Sequence, residues 1–101
     1  MNLKPARIRS EAQAEIESAF ERYRAESREL AEKFLAEIGT SLDLIRLHPN
    51  LYPMATSSTR RRVLRIFPYL VIYQEKLDVI LVIAVAHAKR RPGYWARRLK
   101  Q

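Results

Sequence analysis

RRRVLRIFPYLVIYQEKLDVILVIAVA, residues 60–86, is where the hydrophobic period of this 101-residue chain changes from helical to extended. Three runs rich in β-branched, leucine and aromatic residues, RRRVLRIF, YLVIYQ and VILVIAVA, follow one another with short connections, the last through the turn EKLD. Three such strands in succession predict an antiparallel meander. Val79 to Ala86 is apolar at every position, which places it centrally in a sheet or under cover on both faces.

Upstream of residue 60 the period is helical. Ala12, Ile16, Ala19, Phe20 and Tyr23 recur at three- and four-residue spacing and predict a helix over about residues 11–25. Ser10 followed by Gln13 fits a capping box, and Glu11, Glu15 and Glu17 suit the positive end of a helix dipole. Ser27 then caps a second helix whose stripe is Leu30, Ala31, Phe34, Leu35, Ile38, Leu42 and Ile45. Pro49 disfavours helix at His48, so this element should stop near Leu47. Gly39 within it is expected to serve close packing. With almost no linker, the two helices should fold back as a hairpin. The remaining upstream segment, LKPARIRS, reads as a short first strand at an edge, since Pro5 lacks a donor. PNLYPMATSST, residues 49–59, reads as a loop.

The expected class is α+β, ordered β-α-α-β-β-β, with an antiparallel sheet against an α-hairpin and a short C-terminal helical turn starting near Pro92. Residues 1–101 are expected to form a single domain. Phe20, Phe34, Phe67 and Tyr69 read as core, and Trp95 as a ring docked on the sheet beside Leu99.

Composition excludes several function classes. The chain has no cysteine, so disulfides, thiolate metal sites and cysteine nucleophiles are ruled out. His48 and His87 are far apart and Gly39 and Gly93 are the only glycines, so neither a metal centre nor a phosphate-cradling loop is expected. No cofactor is expected. No run is long enough to span a membrane as a helix and no signal peptide is evident, so the reading is a soluble, cytoplasmic protein without a membrane partner.

The formal charge is +8 at pH 7 and it is segregated. Residues 1–59 carry eight Lys/Arg against nine Asp/Glu, and residues 60–101 carry eleven against two. A basic half of this kind attracts a polyanion or an acidic protein. Arg60, Arg61, Arg62 and Arg65 enter the meander, and Lys89, Arg90, Arg91, Tyr94, Arg97 and Arg98 follow it. The start of the first meander strand and the end of the third are expected at one end of the sheet, bringing the two clusters together. Converging guanidinium groups bind phosphate or carboxylate bidentately, and aromatic rings stack on bases. His87 reads as a hydrogen-bonded structural residue at the end of a buried strand. The acidic residues of the helices read as solvated faces.

RIRSEAQAEIESAFERY, LAEKFLAEI, LHPNLYP, RRVLRIFPYLVIY and VIAVAHAKRRPGYWARR, in this order, span nearly the whole chain. In them the chain resembles the RelE/ParE superfamily of type II toxin–antitoxin toxins. RIFPY paired with AVAHAKRRPGYW is most similar to the ParE branch, whose members are associated with inhibition of DNA gyrase. RelE-type members instead cleave mRNA on the ribosome. They carry an arginine near the position of Leu70 or Val71 and a basic residue where this chain has His87 and Ala88. Only Tyr94 matches the nuclease's carboxy-terminal tyrosine. The resemblance therefore implies a gyrase inhibitor held in a hetero-oligomer with a cognate antitoxin, whose acidic C-terminal segment wraps the toxin. The basic set, Arg61, Arg62, Arg65, Lys89, Arg90, Arg91, Tyr94, Arg97 and Arg98, is expected to carry target binding or toxicity. The alternative is a ribosome-dependent mRNA endonuclease using Tyr94, Arg90 and His87. A plain nucleic-acid-binding module ranks third, since basicity alone would support it.

Overall fold

The computed structural model describes residues 3–100. Its elements are β1 (Ala6–Ile8), α1 (Ser10–Glu26), α2 (Arg28–Leu47), β2 (Arg60–Val63), β3 (Tyr69–Glu75), β4 (Ile80–His87) and a terminal 3-10 turn (Ala96–Lys100). The α+β order read from the sequence is the observed one.

The four strands form one sheet in the order β1-β4-β3-β2. The meander β2-β3-β4 is antiparallel as expected, whereas β1 joins β4 in parallel, so the sheet is mixed. The parallel edge follows from the connection: the chain leaves β1, traverses the whole α-hairpin, and re-enters the sheet at the opposite edge. β4 thus lies in the interior, as its unbroken apolar sequence requires.

Only Ser27 separates α1 from α2, and its extended backbone, with φ −164° and ψ 129°, reverses the chain. Its hydroxyl accepts from the Leu30 N–H at 3.2 Å, the N-cap expected for α2. At the start of α1 the expected Ser10 capping box is absent. Arg9 is the N-cap and offers no side-chain cap. The reason lies in the sheet: Arg9 donates its N–H to Val82 O at 3.0 Å, which holds it extended and makes Ser10 the first helical residue. Gly39 is also corrected, since it is exposed and a Cβ there would meet nothing within 4 Å.

The helix-side core joins Ala12, Ile16, Ala19, Phe34, Ile38 and Ile45 to Val71, Tyr73, Val82 and Val85. Tyr23, Phe34, Phe67 and Tyr69 meet edge-on or tilted, with centroids 5.0–6.4 Å apart, and Phe20 packs partly buried beside them. β2 ends at Val63, earlier than the run RRRVLRIF suggests. Leu64 and Phe67 both turn inward, and Leu64 N–H to Tyr69 O (2.9 Å) closes the bend.

Pairing between β3 and β4 shifts register between Ile72 and Tyr73, leaving Ile83 as an extra residue in β4. Ile83 and the next residue, Ala84, therefore both join the cluster on the sheet's other face, with Ile72 and Trp95. The segment after β4 crosses to that face, where Trp95, only 5% exposed, docks with Leu99 against it.

Candidate functional site

The structure puts two cavities around the end of β4, divided by His87, Arg90 and Tyr94, which line both. On the face away from the helices, a groove of about 440 Å³ has Leu70, Ile72 and Ala86 as apolar lining and Arg61, Arg90 and Arg91 as its cations. On the helix side, a cleft of about 350 Å³ opens between α1 and the end of β4.

The two arginine clusters do not meet at one end of the sheet, contrary to the expectation from the sequence. In a three-stranded meander the first and third strands run the same way, so their ends coincide, not a start with an end. The register confirms this: Arg60 is level with Tyr73 and Val82, whereas Val63 is level with Leu70 and Ala86. Alternation along β2 then divides its arginines between the two faces. Arg61 faces the groove, and its Nη1 donates to Met54 O at 3.1 Å. Arg62 turns to the helices, donating to Ser41 Oγ at 3.1 Å beneath the Tyr52 ring. Arg60 donates to Tyr52 O at 2.8 Å. Arg65 lies on the bend beyond β2, where Glu37 accepts from its backbone N–H and from that of Ile66.

The tail residues also separate. Lys89 lines the cleft, Arg91 lines the groove, and Arg97 is exposed on the terminal turn. Arg98 is committed inside the protein. Its guanidinium bridges both Glu15 carboxylate oxygens at 3.0 and 3.1 Å, and it donates to Ile83 O at 3.1 Å. Both side chains of this pair are about 15% exposed (14% and 15%).

Glu15 is the residue that sequence reasoning missed. Its place among the acidic residues of α1 suggests a solvated helix face, yet it also accepts the Val85 N–H at 3.0 Å and the Tyr94 hydroxyl. Arg90 lies 3.7 Å from it and stacks over the Tyr94 ring at 3.6 Å. The arrangement has a clear cause in the sheet. β1 covers β4 only as far as Val82, so beyond it the edge exposes an unpaired donor and acceptor. The Glu15 carboxylate takes the donor of Val85 and the Arg98 guanidinium takes the carbonyl of Ile83, doing what a longer β1 would do. No local pattern announces a contact spanning 83 residues; the only sign was a glutamate at a helix position flanking Ala12, Ile16 and Ala19.

Electrostatics follow from this network. Burial, reinforced by the hydrogen bond to Glu15 and that carboxylate's charge, pushes the Tyr94 phenol up to about 12. Burial alone would lower the pKa of Arg98, but its hydrogen bond to Glu15 and the carboxylate's charge leave it raised. His87 Nδ1 accepts from the Lys89 N–H at 3.0 Å, and its ring meets Tyr69 edge-on, the hydrogen-bonded place expected for it. Among the described residues no three His, Asp or Glu side chains gather as a metal-binding group.

The family model of the ParE toxin of type II toxin–antitoxin system, parDE, matches residues 6–92. No curated protein matches the chain significantly. Among solved structures, a chain of the chromosomal ParDE TA system from P. aeruginosa superposes with a TM-score of 0.75 at 15% identity. That match covers 86% of this chain and 98% of the other. At such identity the likeness shows a shared fold.

Proposed function

Because the chain belongs to the ParE toxin family of type II toxin–antitoxin systems, we propose that it arrests growth in the cytoplasm by inhibiting DNA gyrase, and that a cognate antitoxin neutralises it. The observation that carries this choice over RNA cleavage is the chemistry of the groove. In-line cleavage of RNA needs a base for the nucleophile, a cation at the scissile phosphate and an acid for the leaving group. Leu70, Ile72 and Ala86 on its floor offer none of these, and His87, at the boundary with the cleft, spends Nδ1 on the Lys89 N–H. Tyr94, the residue that matches the nuclease branch, gives its hydroxyl to Glu15 on the helix side and stays a neutral phenol well above physiological pH. What the groove does offer is a hydrophobic floor bordered by Arg61, Arg90 and Arg91, which suits a protein surface bearing apolar and acidic groups.

Two assays on the same purified protein test the proposal. Gyrase-catalysed supercoiling should be inhibited, and codon-periodic mRNA cleavage on ribosomes should be absent. Codon-periodic cleavage with gyrase unaffected would reverse the assignment. Co-purification with the antitoxin should abolish the inhibition.

A further inference from the structure

We infer that the cleft between α1 and the end of β4 accepts one side-chain carboxylate from an acidic protein segment. The cleft is walled by Ser18 and Arg22 of α1 and by His87, Lys89 and Arg90 of the opposite side. Among the described residues, Arg22 and Lys89 have no acid within ion-pair distance, and Arg22 donates instead to the neutral Tyr69 hydroxyl. Among the described residues Glu15 is the only acid lining the cleft, and Val85, Tyr94 and Arg98 already occupy its two oxygens. Three cations thus face a cavity of about 350 Å³ whose single carboxylate is spent elsewhere. With Nδ1 of His87 accepting from Lys89, the neutral ring carries its proton on Nε2, a further donor.

A lone carboxylate fits this cleft better than a nucleic-acid backbone does. The guanidinium of Arg22 offers a planar fork matched to a carboxylate. The adjoining surface of α1 exposes Glu17, Glu21 and Glu26, which would repel a continuous row of phosphates more strongly than a single inserted carboxylate. An antitoxin segment is the partner of this chemistry; that identity rests on the function proposed above, whereas the cleft does not.

The test is an amide-resolved NMR titration of the full chain, at constant ionic strength, with acetyl-Gly-Glu-Gly-amide and its glutamine counterpart. The glutamate peptide should shift the amides of Ser18, Arg22, His87 and Lys89, and the glutamine peptide should not. Arg22→Gln with Lys89→Gln should weaken binding about tenfold or more. Lys89→Glu, at an exposed position that cannot disturb the core, should weaken it as well. Equal shifts from both peptides, unchanged affinity in the variants, or larger shifts of the same amides from a short oligonucleotide would each overturn the inference. An antitoxin that fails to bind or to neutralise, while the glutamate peptide still binds here, would refute the functional reading and leave the site standing.

Discussion

Glu15→Gln isolates the contact on which the C-terminal segment depends. The substitution keeps the shape and one carbonyl oxygen but removes the charge and one strong acceptor. Four donor groups lose strength together: the Val85 N–H, the Tyr94 hydroxyl and the two guanidinium N–H groups of Arg98. Breaking a buried ion pair by removing one partner costs about 3–5 kcal/mol. The slight exposure of both groups and the residual amide oxygen reduce this, giving about 2–3 kcal/mol. For a chain of this length that lowers the thermal midpoint by about 10–20 °C. The assay has a built-in reporter, since Trp95 is the only tryptophan and is 5% exposed. In Glu15→Gln the tryptophan emission should redden at lower denaturant than the loss of far-ultraviolet helix signal, because the tail leaves before the sheet opens. In a double-mutant cycle, Glu15→Gln and Arg98→Met should show a coupling of about 1–3 kcal/mol. A Glu15→Gln protein with parent-like midpoint and emission would refute the claim that this carboxylate closes the β4 edge and holds the tail.

Trp95→Ala should cost about 3–4 kcal/mol in denaturant unfolding, because it empties the pocket formed with Ile72, Ile83 and Ala84; a cost under about 1 kcal/mol would mean that the ring does not anchor the tail. Tyr73 and Tyr94 should titrate near 12, both raised first by burial, while ordinary tyrosines ionise near 10. A phenol whose folded pKa is raised stabilises the fold fully below its unfolded value and loses that contribution as pH climbs through the folded one. Stability should therefore fall between about pH 10 and 12, with late tyrosinate absorbance; titration of every tyrosine near 10 without unfolding would contradict this. Arg91→Ala with Arg97→Ala removes two exposed cations that have no acid partner among the described residues, so folding should be unchanged within about 0.5 kcal/mol while growth arrest on induction weakens. Full toxicity in that variant would reduce the tail's charge to solvation.

What could be read in advance was whatever the sequence encodes locally. The period change near residue 60 and the Ser27 cap each act within a few residues, and each is where periodicity and propensity put it. Ser10 satisfied a capping pattern but lost to a pairing made elsewhere, since the Arg9 N–H belongs to the Val82 carbonyl. The arginines show the same division. Their number and segregation were visible, but whether an arginine is free depends on partners far along the chain. Arg62 is held by Ser41 and Arg98 by Glu15, while Lys89, Arg91 and Arg97 keep their charge unpaired among the described residues.

The bulge at Ile83 decides which chemistry each cavity receives. Ile80 and Val82 face the helices, so strict two-residue alternation would point Ala84 and Ala86 the same way and send His87 into the groove. One extra residue reverses the facing for the rest of β4. Val85 then joins the helix-side core, Ala86 becomes groove lining, and His87 pairs opposite Tyr69 beside the cleft. The floor that β3 and β4 give the groove, Leu70, Ile72 and Ala86, is thereby apolar, and His87 stands at the boundary between groove and cleft, where an unbulged strand would have turned its imidazole toward Arg61 and Arg91. A base beside two arginines is what metal-free RNA cleavage requires. The register shift thus draws the imidazole to the boundary shared with the cleft and leaves in the groove the combination of apolar floor and cationic rim that suits a protein target. Deleting Ile83 should remove the bulge yet keep Val85 on the helix side and Ala86 in the groove, because Ala84 would then follow Val82 in strict alternation; its cost in stability should come from the lost Ile83 side chain, which packs with Ile72 and Trp95.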